Sequence, residues 1–95
     1  MDLHLKNKKV FISGSSRGIG LEIGKQFLNH GSVVCFNSRR KINLNNLVDQ
    51  KKINDFHFLK YDLSKKNNAK KCINEAYKKM KGLDILICNL GDGRK

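Results

Sequence analysis

The sequence predicts an α/β fold, a single domain built on a doubly wound parallel sheet, and three observations carry that prediction. The apolar run Val10-Phe11-Ile12-Ser13 passes into a glycine-rich turn, Gly14-Ser15-Ser16-Arg17-Gly18-Ile19-Gly20, and then into an amphipathic stretch. Further short apolar runs, rich in β-branched and aromatic residues, alternate with segments of helical period. The last run, Leu83-Asp84-Ile85-Leu86-Ile87-Cys88, is apolar on both faces, the pattern of a buried parallel strand. No proline-rich linker, internal repeat or low-complexity tail divides the 95 residues, so residues 1–95 are read as one domain.

The elements follow in chain order. The first strand ends at Ser13, and Gly14 permits a sharp exit from it. The first helix places Ile19, Ile23, Phe27 and Leu28 on one stripe and ends at His30. Residues 32–37 form the second strand, and a polar, weakly helical piece is expected around Leu44, Leu47 and Val48. A third strand covers residues 56–61. Residues 64–81 then form a helix on which Ala69, Cys72, Ile73, Ala76 and Met80 recur at helical spacing, with Ser64 as its cap and Gly82 as its terminator. The fourth strand covers residues 83–88, and right-handed crossovers make the sheet parallel.

The chemistry lies in the glycine turn. A pyrophosphate is held by backbone N–H groups at a helix N-terminus, where unpaired donors and the helix dipole favour negative charge, and a Cβ in the turn blocks that approach. Gly18 allows backbone to pass close beside phosphate, Gly20 lets the helix pack tightly on the sheet, and Gly24 extends that closeness by one turn. The residues Gly14-Ser15-Ser16-Arg17-Gly18 also spell the Gly-x-Ser-x-Gly nucleophile elbow. An elbow serine needs earlier strands and a loop for its oxyanion hole, and here the turn follows the first strand. Gly20 would then have no purpose, and no constellation ties His30 or His57 to Ser16.

The spacing Gly-x-x-x-Gly-x-Gly, preceded by Leu3-His4-Leu5-Lys6-Asn7-Lys8 and Ser13, resembles the short-chain dehydrogenase/reductases. Tyr61-Asp62-Leu63 looks like that family's Asp-Leu/Val after the third strand. Residues 83–91, ending Cys88-Asn89-Leu90-Gly91, are similar to its fourth-strand signature Asn-Asn-Ala-Gly, with Cys88 in place of the first Asn and Leu90 in place of Ala. The resemblance implies a Rossmann-type sheet, βαβαβαβ with strand order 3-2-1-4, as the first half of such a domain. It implies hydride transfer between a nicotinamide cofactor and an alcohol or ketone. Gly14, Ser16, Arg17, Gly18, Ile19 and Gly20 then wrap the pyrophosphate, Asp62 and Leu63 border the adenine, and Asn89 and Gly91 border the nicotinamide-side ribose. The family's catalytic serine and Tyr-x-x-x-Lys pair follow the fourth strand. The chain is therefore expected to be truncated before them, with no catalytic residue of its own and a carbonyl or alcohol substrate only when completed by the missing half. Tyr61 to Lys65 and Tyr77 to Lys81 both spell Tyr-x-x-x-Lys, but one ends the adenine-side strand and the other lies on a helix before the fourth strand. The alternative to an oxidoreductase portion is a nonenzymatic dinucleotide-binding or partner-docking module, or an inactive gene remnant.

Cofactor choice is argued from the end of the second strand, about twenty residues past the turn, where an NAD site presents an Asp or Glu to the ribose hydroxyls. Ser38, Arg39 and Arg40 stand there instead. An arginine pairs with a 2′-phosphate through its planar fork, whereas a carboxylate repels it. With Arg17 adding a second positive charge, NADP(H) is favoured over NAD(H), and Ser38 and Arg39 are assigned to the ribose phosphate.

A formal net charge of +12 suits a nucleic-acid binder, but sixteen of the 20 basic residues are scattered lysines without interleaved aromatics, so no specific nucleic-acid partner is expected. The three cysteines contain no Cys-x-x-Cys and read as small buried hydrophobes. Their odd number and the absence of a secretory signal point to the cytoplasm. No apolar run is long enough to span a membrane, and no metal-ligand spacing is present. If the fourth strand lies at an edge, its apolar character favours self-association.

Overall fold

The computed structural model describes residues 5–41, 43 and 55–89. The expectations at Leu44, Leu47 and Val48, and those at Leu90 and Gly91, lie outside the described residues. The elements are β1 (Lys9–Ile12), α1 (Gly18–Asn29), β2 (Val33–Ser38), β3 (Phe56–Lys60), α2 (Asn68–Met80) and β4 (Ile85–Ile87). All strand pairs are parallel, in the order β3-β2-β1-β4. This is the Rossmann-type order that the resemblance implies.

Strand alternation sorts the apolar side chains into two layers. On one face Val10, Ile12, Val34 and Phe36 pack against Leu21 and Leu28 of α1. On the other, Phe11, Cys35 and Leu59 pack against Cys72, Ala76 and Met80 of α2. Phe36 also meets Phe56 edge to face, with ring centroids 6.1 Å apart. Each fully buried phenylalanine stabilises the fold by about 1.5–3 kcal/mol relative to exposure.

Four expectations need correction. The stripe Ile19, Ile23, Phe27, Leu28 holds only in part: Leu28 is buried and Ile23 and Phe27 pack against the core, but Ile19 does not. Gly20, Leu21, Gly24 and Leu28 are buried, whereas Ile19 is 74% exposed. Glycines on the sheet side bring the helix axis close, and the Phe36 ring occupies the space where a Gly24 side chain would stand. Ile23 and Phe27, half-buried against that core, also line with Ile19 and Leu5 an open groove of about 600 Å³. Secondly, α2 starts at Asn68, because both the N–H and the Oγ of Ser64 bind Asp62 Oδ1, at 3.0 and 2.6 Å, and hold that segment in a turn. Its end matches expectation: Lys81 is left-handed at φ 62° and the Gly82 N–H closes on the Tyr77 carbonyl at 3.0 Å. Thirdly, Ala69 is exposed, since it sits in the first turn, before α2 reaches the sheet. Finally, β4 is shorter than expected and borders only β1 among the described residues, leaving Leu86 51% exposed and Cys88 at the surface.

Candidate cofactor-binding site

Every described residue of the sequence-derived site lies at or just past the C-terminal end of a strand. Gly14, Ser16, Arg17, Gly18, Ile19 and Gly20 come after β1, Ser38 and Arg39 close β2, Asp62 and Leu63 come after β3, and Asn89 after β4. A parallel sheet gathers these ends along one edge, which is where open α/β sheets bind ligands. Gly91 lies outside the described residues.

The turn is built on two left-handed glycines, Gly14 at φ 56° and Gly18 at φ 62°, a region that β-carbon sterics disfavour for other residues. Arg17 between them is extended, at φ −161°. The first turn of α1 has neither a side-chain cap nor an acidic residue. Among the described residues its amide donors and the positive end of its dipole are therefore left without a side-chain cap or a carboxylate, as an anion site requires. The glycines divide the work. A Cβ on Gly18 would meet nothing within 4 Å, so this residue stands at the open side of the turn. A Cβ on Gly20 would lie 2.5 Å from Asn89 Nδ2 and 2.7 Å from the Gly14 carbonyl, so Gly20 is where helix, turn and β4 converge.

A polar network beneath the turn holds it in place. Ser15 is fully buried; its Oγ donates to the Ile12 carbonyl at 2.7 Å and accepts the Asn37 N–H at 2.8 Å, and its own N–H donates to the Asn37 carbonyl at 2.7 Å. Asn37 Oδ1 accepts the Gly14 N–H at 3.0 Å, while Nδ2 donates to the carbonyls of Leu59 and Tyr61 at 3.3 and 3.2 Å. From the other side, the Asn89 N–H donates to Ser13 Oγ at 2.9 Å, Ser13 Oγ donates to the Asn89 carbonyl at 3.1 Å, and Asn89 Nδ2 donates to the Gly14 carbonyl at 2.9 Å. Both backbone groups of Gly14 are thus occupied by side chains, so Gly14 shapes the turn and the donors face outward further along. Asn89, expected beside a ribose, braces the turn through its Nδ2.

At the other end of the edge, Ser38 is buried, its Oγ accepting the Arg40 N–H at 3.1 Å and its carbonyl accepting the Tyr61 N–H at 2.9 Å. Arg39 is exposed and close enough to Asp62 to act on its charge. The Ser64 hydroxyl and N–H hold the Asp62 carboxyl below the ordinary carboxylate value, with smaller contributions from Lys65 and Arg39. Leu63 packs on the α2-side cluster.

Neither Tyr-x-x-x-Lys pair is placed for proton transfer beside the turn. The Tyr61 hydroxyl donates to Glu75 Oε1 at 2.7 Å, and that bond holds its pKa above the ordinary phenol value, opposite to the lowering an acid catalyst needs. Tyr77 is exposed on α2, on the side of the sheet away from α1. His57 lies within β3, where burial and then Lys79 lower its pKa. The sequence reading left Ser13, Ser15 and Asn37 without roles. The available signal was that each is a small polar residue at the end of an apolar run, where a buried side chain has to find backbone partners.

The short chain dehydrogenase profile matches residues 8–95. The chain belongs to the short-chain dehydrogenase family. The uncharacterized oxidoreductase YvrD of Bacillus subtilis is 37% identical over 92 residues, covering 96% of this chain and 35% of that protein. Glucose 1-dehydrogenase of Gluconobacter oxydans is 33% identical over 89 residues, covering 88% and 33% respectively. Among solved structures, NADH-dependent reductase A1-R' complexed with NAD superposes with a TM-score of 0.81 at 27% identity, over 90% of this chain and 37% of that one. This short-chain dehydrogenase sequence therefore spans about a third of the length of the curated relatives it matches.

Proposed function

We propose that this chain binds NADP(H), as the cofactor-binding portion of an oxidoreductase that moves hydride between a nicotinamide and an alcohol or ketone. The observation that carries the reading is the uncapped N-terminus of α1, held open by left-handed Gly14 and Gly18 and sharing a sheet edge with Arg39 and Asp62. These residues fit a dinucleotide. The first-turn amides at Gly18, Ile19 and Gly20, with Ser16 and Arg17 before them, hold the pyrophosphate. Ser38 and Arg39 meet the 2′-phosphate, Asp62 and Leu63 flank the adenine, and Asn89 and Gly91 flank the second ribose. The bound nicotinamide supplies the hydride chemistry; the chain's own residues bind and orient it.

The preference for NADP(H) rests on Ser38 and Arg39 in the place of an acid. Reductase A1-R' is described as NADH-dependent, so the preference is argued from this chain's own residues. Arg39→Ala is expected to weaken NADPH binding about ten-fold or more, the loss of roughly one charge-assisted bond, and to change NADH binding by less than about two-fold. Fluorescence titration of both cofactors measures this, and equal losses would remove the 2′-phosphate assignment.

A second reading, a nonenzymatic dinucleotide-binding or partner-docking module, draws on the same uncapped glycine turn, which holds a dinucleotide whether or not hydride transfer follows. NADPH binding without turnover of any carbonyl by the whole protein supports it. Cys35, Cys72 and Cys88 are free thiols, which suits the reducing cytoplasm. No described helix is long and apolar enough to cross a membrane.

A further inference from the structure

We propose that Asn37 is a positioning residue for the dinucleotide, its carboxamide setting the separation between the glycine turn and the adenosine end of the site; the inference rests on the cofactor reading above. Asn37 is 2% exposed and sits at the end of β2, between the two ends of the site. Its amide orientation is dictated by its partners. The Gly14 N–H requires an acceptor, and the carbonyls of Leu59 and Tyr61 require donors. Turning the amide over would oppose donor to donor and acceptor to acceptor.

These bonds go beyond the strand ladder, which already pairs Asn37 with Leu59. Through its side chain, Gly14 of the turn is linked across β2 to Tyr61, the residue preceding Asp62. Tyr61 is gripped twice, since its N–H donates to the Ser38 carbonyl at 2.9 Å. The glycine turn and the Tyr61-Asp62 end of the site are thereby indexed to one carboxamide. Oδ1 also withholds the Gly14 N–H from phosphate, leaving the α1 amides as the outward donors. No other side chain of similar size offers one acceptor and two donors in this geometry: aspartate lacks the donors, leucine lacks both, and serine is too short to reach both sides. Asn37 carries no charge and stands apart from the 2′-phosphate position. Its removal therefore weakens both cofactors alike, whereas removal of Arg39 discriminates between them.

The test combines amide hydrogen exchange with cofactor titration on the protein and its Asn37→Ala variant. In the wild type the Gly14 amide exchanges more slowly than the Gly18 amide. In Asn37→Ala, Gly14 protection is expected to fall about ten-fold or more while Val34 and Cys35 keep theirs, and NADPH and NADH dissociation constants rise together by about ten-fold. An unprotected Gly14 in the wild type overturns the proposal, as do unchanged dissociation constants in the variant. Protection lost evenly across the sheet also overturns it, because that marks a role in stability alone. If Asn37→Ala does not fold, Asn37→Ser carries the same comparison. A wild type that binds neither cofactor refutes the cofactor reading itself, while a wild type that binds and a variant that binds equally refutes Asn37 alone.

Discussion

Cys35 and Cys72 meet in the α2-side core, and burial pushes their thiols up to about 12 and about 11. Cys88 is exposed beyond β4. The thiolate is the reactive form, so a neutral-pH thiol reagent is expected to modify Cys88 in the native protein and to reach Cys35 and Cys72 only after unfolding. Mass spectrometry of the labelled peptides decides this. The raised values also carry a sign for stability. The unfolded chain loses these protons near its ordinary thiol value of 9.0 while the folded chain keeps them, so stability contributed by the two thiols is complete below pH about 9 and declines as pH rises toward 12. Denaturant titrations at stepped alkaline pH measure that decline. At this scale the site was partly legible. Gly14, Gly18 and Gly20 follow from the tight turn and close packing that a phosphate-binding turn demands, whereas Asp62 came from the family resemblance. Asn37 and Ser15 follow from neither, because their work is to satisfy backbone groups brought near only by folding.

The helix α1 shows how an element is misread when its smallest residues do the packing. Hydrophobic periodicity draws the stripe through Ile19, Ile23, Phe27 and Leu28, yet the line of closest approach to the sheet runs through Gly20 and Gly24, with Leu21 and Leu28 buried beside them and Ile19 exposed. A Cβ at Gly24 would overlap the Phe36 ring, which is fully buried and pinned by Phe56. Gly24→Ala is expected to destabilise the fold by about 1–3 kcal/mol through overpacking, outweighing the roughly 1 kcal/mol that alanine gains in helix propensity. Thermal unfolding followed by circular dichroism reads the difference; an unchanged midpoint would mean that α1 lifts freely from β2. The start of α2 was misplaced for a related reason. Ser64 has the chemistry of a cap, but Asp62 offers it a nearer partner.

Across the whole molecule, the order β3-β2-β1-β4 puts β1 in the interior of the sheet and carries its glycine turn to the middle of the sheet edge that holds the candidate site. The same order leaves β4 bonded to β1 alone among the described residues, with Leu86 half exposed on the α2 side and Ile19 exposed in the first turn of α1. Unpaired strand backbone next to apolar side chains recruits further strands. The 95-residue polypeptide, prepared by itself, is therefore expected to self-associate at neutral pH, and Leu86→Lys to shift it toward monomer. Light scattering separates these outcomes, and a monodisperse wild-type monomer would refute the expectation. The net charge of +12 works against association at low salt and is screened as salt rises, so oligomer size is expected to grow with ionic strength.

The alternation of apolar runs with helical periods determined the fold class, and the glycine spacing after β1 carried the resemblance to the family, because strand, turn and helix at that point are local structures written in consecutive residues. The strand ends, the true face of α1, the exposure of Cys88 and the Asn37 link from Gly14 to Tyr61 were decided by the tertiary structure. The reason is reach. Asn37 stands 23 residues from Gly14, and no local pattern records a hydrogen bond that exists only once β1, β2 and β3 lie side by side.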